Sequence, residues 1–167
     1  MSGLTGYSPH YVMLVISASA GIATMTQEHL GYAIALEVPF FIVMTKVDMA
    51  PASKIQATVE NLKKFLGNVG SKKVPLLVRN SDDIINAVSN TPKENVVPIF
   101  CVSSVSGRGL DKIKRFLHLL PPGVGLKEQG KLEQANPEFQ IDEIFDVPNV
   151  GCVVGGLVGQ GIITEGN

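Results

Sequence analysis

Two short polar segments hold the side chains best equipped to grip a ligand: Thr45-Lys46-Val47-Asp48 and Ser103-Ser104-Val105-Ser106-Gly107. Each follows an apolar run of strand length, Val38–Met44 and Val96–Val102. In an open α/β sheet, ligands settle just beyond the carboxyl ends of the strands, so both segments are expected on one edge of one sheet. Together they offer a carboxylate, an ammonium on a long apolar stem and several hydroxyls. That set suits recognition of a polar ligand by hydrogen bonds.

The elements around these segments alternate. Tyr11–Ile16 is a continuous apolar run, expected to be a parallel strand buried on both faces. Thr24 and Gln27 stand at capping-box spacing before a helix that runs to about Leu36. Pro51 suits a helix first turn, and Ile55, Val59, Leu62 and Leu66 share one helical face before Gly67. A short strand is expected at Val74–Val78 and a short helix at Asp82–Val88, with Asp82 and Asp83 at its favourable end. Leu110–Leu120 is a further helix, closed by Pro121-Pro122-Gly123. The alternation implies an α/β fold, a parallel sheet with helices on both faces. Residues 122–138 are polar without a sustained period and read as a linker. Residues 139–167 change to β-rich pieces between turns at Pro148-Asn149, Gly155-Gly156 and Gly159-Gln160-Gly161, the beginning of an antiparallel β unit.

Composition narrows the classes. The chain has 167 residues, 45% hydrophobic and 17% charged, which excludes disorder for most of its length. A formal net charge of −1 argues against an electrostatically driven nucleic-acid binder, and no DNA partner is expected. Cys101 and Cys152 are too few for a disulfide framework or a four-cysteine zinc site. The apolar stretch Tyr11–Ala23 contains Ala18-Ser19-Ala20, yet the first basic Lys or Arg is Lys46, so a secretory leader is not expected. The stretch is also too short to span a bilayer, so no membrane partner is expected.

Thr45-Lys46-Val47-Asp48 resembles the Asn/Thr-Lys-x-Asp guanine-specificity motif of GTP-binding proteins. The resemblance implies that Asp48 accepts hydrogen bonds from the ring NH and exocyclic amine of guanine, at about 1.5–3 kcal/mol each. Adenine offers neither in that arrangement. The Lys46 stem would lie along the flat base with its ammonium toward the ribose or nearby backbone. Ser103-Ser104-Val105 resembles the second base-contacting loop, usually Ser-Ala-x, in which a backbone N–H meets the keto oxygen. Thr45 stands where Asn is commoner, keeping a hydroxyl but losing an amide.

A wider resemblance covers nearly the whole chain. Gly21 with Thr26-Gln27-Glu28-His29 is similar to the Gly…Thr-x-Glu-His segment of translational GTPases such as elongation factor Tu. Val147–Gly166 resembles the start of their β-barrel domain, with its Gly-x-Val-Val-x-Gly and Gly-Ile-Ile-x-x-Gly patterns. Gly3-Leu4-Thr5-Gly6, Lys72–Val78 and Ser81-Asp82-Asp83 resemble a narrower group, the eukaryotic GTP-binding protein one and two family, relatives of elongation factor 1-alpha. The resemblance implies that residues 1–121 are the C-terminal half of a P-loop-type G domain and 139–167 the first strands of a barrel. It further implies a cytoplasmic, elongation-factor-like protein that binds GTP or GDP, and hydrolyses GTP to GDP and phosphate at full length. Its implied partners are the ribosome or the translation and RNA quality-control machinery.

The departures carry equal weight. The phosphate-binding loop Gly-x₄-Gly-Lys-Ser/Thr is absent, and Gly67-Asn68-Val69-Gly70-Ser71-Lys72 has neither its spacing nor its order. The metal-linked Asp-x-x-Gly motif is absent too, and His10, His29 and His118 lie outside the context of the family's catalytic histidine. Family order places those motifs before Gly3, so the chain reads as a piece of a longer protein beginning at an internal methionine. Mg²⁺ is expected only with those motifs, and no catalytic or metal-ligating residue is expected here. An open apolar edge is expected along the first strand.

A rival reading is a non-catalytic GTPase-like module that binds a protein or the ribosome. A dinucleotide-dependent oxidoreductase would want Gly-x-Gly-x-x-Gly where the chain has Ser17-Ala18-Ser19-Ala20-Gly21. Lys63, Lys64, Lys72 and Lys73 read as a solvated helix end, Asp82 and Asp83 as helix-start acids, and Cys101 as a buried strand residue.

Overall fold

In the computed structural model, which describes residues 9–68, 73–93, 96–123 and 126–166, the apolar runs become strands and the periodic segments helices. Strand β1 (Val12–Ser17) leads to helix α1 (Thr24–Ala35), β2 (Phe40–Thr45) to α2 (Ala52–Asn68), β3 (Val74–Leu77) to α3 (Ser81–Asn90), and β4 (Val96–Cys101) to α4 (Leu110–Leu119). The strands form a parallel sheet in the order β1-β2-β4-β3. Gly3-Leu4-Thr5-Gly6 and residues 69–72, with the Lys72 of the lysine cluster, lie outside the described residues.

Alternation along β2 divides the core between two layers, because successive strand residues point to opposite faces. Phe40, Ile42 and Met44 join Ile16, Val97 and Ile99 beneath Leu30 and Ala33 of α1 and Val59, Leu62 and Leu66 of α2. Phe41 and Val43 join Phe100 and Val102 against Ile84 and Ala87 of α3 and Phe116 of α4. The Phe116 ring lies 5.1 Å from Phe41 and 4.9 Å from Phe100, with the first pair edge-on. Edge-on and offset rings are the favoured aromatic arrangements. Tyr11 Oη donates to the Pro121 carbonyl at 2.9 Å, tying the two ends of this layered unit together. Burial pushes the Tyr11 phenol above its ordinary range.

Prolines sit where the ladder tolerates them. Pro75 is on the outer strand β3, and β4 pairs with β2 only from Ile99 onward, so Pro98 precedes that ladder. Strand β1 corrects the sequence reading. Val12, Leu14 and Ile16 face the core, but Met13 and Val15 are 52% and 53% exposed. An outer strand covered by helices on one face alone leaves its alternate residues open.

Helix α1 also departs from expectation. Its N-cap is Ala23, without a side-chain cap, and Thr24 already lies inside the helix. The reciprocal cap stands instead on α3. Asn80 Oδ1 accepts from the Asp83 N–H at 2.8 Å, and the Asp83 carboxylate accepts from the Asn80 N–H at 3.1 Å. Asn80→Ala is expected to cost about 1 kcal/mol, the usual worth of such a cap, read as a lower urea midpoint with unchanged slope.

His10–Pro121 forms one compact unit, and the residues from Pro122 onward belong to another. The second unit opens with helix α5 (Leu126–Glu133), inside the stretch expected to be a linker. Its polar sequence hides the helix from a hydrophobic period, but Gln129 Nε2 donates to Glu133 Oε1 at 3.0 Å, one turn along. Strands β5 (Glu138–Val147) and β6 (Gly151–Gln160) then pair antiparallel. These are two long strands rather than short pieces between three turns. Asn149 (φ 64°) and Gly151 (φ 95°) make the turn after Pro148. Gly155 and Gly156, expected to form a turn, lie inside β6, where a Cβ on Gly156 would stand 1.8 Å from the Gln140 carbonyl oxygen. Glycine there permits a close approach of backbone rather than a bend. The parallel sheet with flanking helices is G-domain-like, and the antiparallel pair after it is consistent with the start of a barrel domain. No helix among the described residues is long and apolar enough to cross a membrane.

Candidate functional site

Strands β2 and β4 are neighbours in the sheet and run the same way, so the loops leaving their carboxyl ends start side by side. Backbone bonds continue past the strands. Val102 N–H donates to the Met44 carbonyl at 2.8 Å, and Val47 N–H donates to the Val102 carbonyl at 3.3 Å. Val47, the residue between Lys46 and Asp48, is 3% exposed and packs in the core beneath α2. An apolar side chain there pins the loop while its neighbours face outward.

Thr45 is half-buried at the end of β2. Its hydroxyl donates weakly to the Ile16 carbonyl at 3.4 Å and its carbonyl accepts from Ala18 N–H at 2.8 Å, so it braces the loop against β1. Lys46 takes the left-handed conformation at φ 58°, uncommon for a residue with a side chain. It turns the chain sharply, and its carbonyl accepts from Met49 N–H at 3.1 Å. The Lys46 and Asp48 side chains are left exposed on either side of buried Val47.

The second loop is held from within. Ser103 is fully buried; its Oγ accepts from Ser106 N–H at 3.2 Å, and its own N–H donates to the Arg108 carbonyl at 3.0 Å. Ser104 is exposed and Val105 is 91% exposed. Gly107 and Gly109 both take φ 75°, and a Cβ on Gly109 would stand 2.2 Å from the Cys101 carbonyl oxygen. The six predicted residues thus fall into two classes. Thr45 and Ser103 face inward and shape the loops, while Lys46, Asp48, Ser104 and Val105 face solvent. Val47 and Gly109 were not singled out from the sequence; the apolar residue between two charges and the Gly-x-Gly after the serines were the available signals. Thr26-Gln27-Glu28-His29 lies on α1, with Gln27, Glu28 and His29 exposed. Among the described residues no three of His, Cys, Asp and Glu gather to hold a metal ion.

The family of the elongation factor Tu GTP binding domain matches residues 5–123. The chain belongs to that family. GTP-binding protein 2 of Mus musculus is 49% identical over 166 residues, 99% of this chain and 28% of that protein. GTP-binding protein 1 of Xenopus laevis is 45% identical over 161 residues, 96% of this chain and 24% of that protein. Among solved structures, apo translation elongation factor SelB from Methanococcus maripaludis superposes with a TM-score of 0.67 at 21% identity. That match covers 94% of this chain and 28% of SelB. GDP-bound aIF5B from Aeropyrum pernix superposes with a TM-score of 0.61 at 16% identity, covering 93% of this chain and 28% of aIF5B. These structural likenesses establish a shared fold. This elongation factor Tu-type chain lies near the GTP-binding protein 1 and 2 group and spans about a quarter of the length of those relatives. It is a translational-GTPase-like module.

Proposed function

We propose that this chain supplies the base-recognition half of a guanine-nucleotide site, with Asp48 accepting from the two donors of guanine and Lys46 lying along the base. In this reading a backbone N–H of the Ser104–Val105 segment meets the keto oxygen, and Thr45 and Ser103 keep both loops in shape. The observation that carries the reading is the hydrogen bond from Val47 N–H to the Val102 carbonyl, which holds the two loops against each other. A relative that binds GTP by name and shares 49% of the aligned residues supports the choice of ligand.

Phosphoryl transfer needs a cradle for the phosphates and a bound Mg²⁺. This stretch carries neither the phosphate loop nor Asp-x-x-Gly, and its described acidic residues do not cluster as a metal site. Its residues therefore do not fit that ion, and the chain selects the base without turning over GTP. In a protein as long as its relatives, hydrolysis, a role in translation beside the ribosome and a cytoplasmic setting follow from the same family kinship. Residues 1–121 act in this reading as half of the G domain, and 139–167 as the opening of the barrel.

Base contacts alone must offset an association cost of about 4 kcal/mol or more, so affinity is expected near millimolar or weaker. A titration of the ¹⁵N-labelled chain with GDP and then ADP, followed by amide shifts, tests this. GDP is expected to move the amides of Val47, Asp48, Ser104 and Val105 at millimolar concentration, and ADP to leave them in place. Equal response to both nucleotides would remove guanine from the reading.

A further inference from the structure

A cavity of about 410 Å³ opens where β3 and β4 end and α2 and α4 begin. Its lining includes none of Thr45, Lys46, Asp48, Ser104 or Val105. It does include the apolar side chains Ile55, Leu77 and Val78. The same lining also includes three cations, Arg79, Arg108 and Lys112, together with Cys101.

Among the described residues none of the three side chains forms an ion pair with a carboxylate, and the Asp83 carboxylate accepts from the Arg79 backbone N–H at 2.8 Å. Lys112 Nζ donates to the Arg79 carbonyl at 2.7 Å, fastening α4 to the chain leaving β3. Nearby Arg115 is engaged elsewhere, its Nη1 donating to Ser81 Oγ at 3.1 Å. The Cys101 sulfur reports the convergence. Burial pushes its thiol above the ordinary range, while Arg108, Lys112 and Arg79 each pull it back.

Like charges lining one cavity with apolar side chains repel one another until an anion arrives. Two guanidinium forks and an ammonium match the several oxygens of a doubly charged group better than a single carboxylate. The volume suits a small molecule, since ligand pockets run from about 300 to 1,000 Å³. We propose that this cavity binds a small organic phosphate, its phosphate against Arg79, Arg108 and Lys112 and its apolar body against Ile55, Leu77 and Val78. The proposal is independent of the guanine reading. The two regions share one backbone contact, because the Arg108 carbonyl accepts the Ser103 N–H.

Cys101 supplies the test. In the full chain with Cys152→Ser, which removes the exposed thiol of the other unit, alkylation of Cys101 by iodoacetamide is timed with phenyl phosphate, inorganic phosphate or phenol present. Phenyl phosphate at millimolar concentration is expected to slow alkylation at least fivefold. Inorganic phosphate should slow it less, phenol not at all, and added salt should weaken the protection. Arg79→Ala with Arg108→Ala should abolish protection. Lys112→Gln, which keeps a donor for the Arg79 carbonyl, should reduce protection at least threefold relative to the variant's own unprotected rate. That rate falls because one cation that draws the thiol down is gone, and an unchanged urea midpoint guards against mere unfolding. Equal protection by phenol, or full protection of the Lys112→Gln chain, would overturn the proposal. Protection lost on Asp48→Ala would assign the effect to the guanine loops and overturn it as well.

Discussion

Asp48→Ala is expected to erase the preference for guanine over adenine. The carboxylate is the one group in either loop able to accept from two adjacent donors, and it stands exposed at the end of a turn fixed from below by Val47. Two charge-assisted bonds at about 1.5–3 kcal/mol each make the loss at least about 3 kcal/mol, a hundredfold or more in affinity. Starting near millimolar, such a loss leaves no measurable GDP shifts in an NMR titration. The fold should stay intact, because Asp48 makes no core contact. If the variant keeps the GDP response of the parent chain, Asp48 is not the base-reading group.

Gly109→Ala is expected to be among the most destabilising single changes in the larger unit. The residue adopts φ 75°, which costs an L-residue about 1–2 kcal/mol, and the added Cβ would meet the Cys101 carbonyl oxygen at 2.2 Å. That oxygen belongs to the end of β4 and has no freedom to swing away. Strain of both kinds together is expected to cost on the order of 3–5 kcal/mol, a large share of the roughly 5–15 kcal/mol of a typical domain. Gly107→Ala provides the internal control. It has the same φ of 75° but nothing within 4 Å of its Cβ position, so only the backbone term applies. Urea midpoints should separate the two variants by about 1 M or more. Equal midpoints would mean that the crowding at Cys101 is relieved without cost.

Elements with strong periods were legible from the residues alone. The run Phe40–Met44 could only be a strand with two buried faces, and Val59, Leu62 and Leu66 could only be the inner stripe of a helix. The strand exits at Thr45 and Ser103 followed from those strands. What escaped depends on neighbours in space. Met13 and Val15 are as apolar as the residues of β2, and only strand order decides that helices cover one set and not the other. Thr24 and Gln27 have the spacing of a cap, yet the helix begins one residue earlier than a Thr24 cap requires. Helix α5 has no apolar stripe to advertise it. Gly155 and Gly156 lie inside β6, and Gly156 marks a close strand approach that composition cannot distinguish from a turn. Within the site, the residue types were legible, but the division between inward braces and outward contacts was not, because it rests on Lys46 turning left-handed and on Val47 reaching across to Val102.

That division has an evolutionary consequence. The atoms that shape the two loops and hold them in place are backbone amides, the Val47 side chain and two inward hydroxyls, whereas the side chains free to meet a ligand belong to other residues. Preference for one small molecule over another is then free to drift, sharpen or vanish through changes at positions 46, 48, 104 and 105 while the scaffold beneath stays intact. A lineage retaining this frame after losing its original partner would still fold, and would remain available for recruitment to a new one.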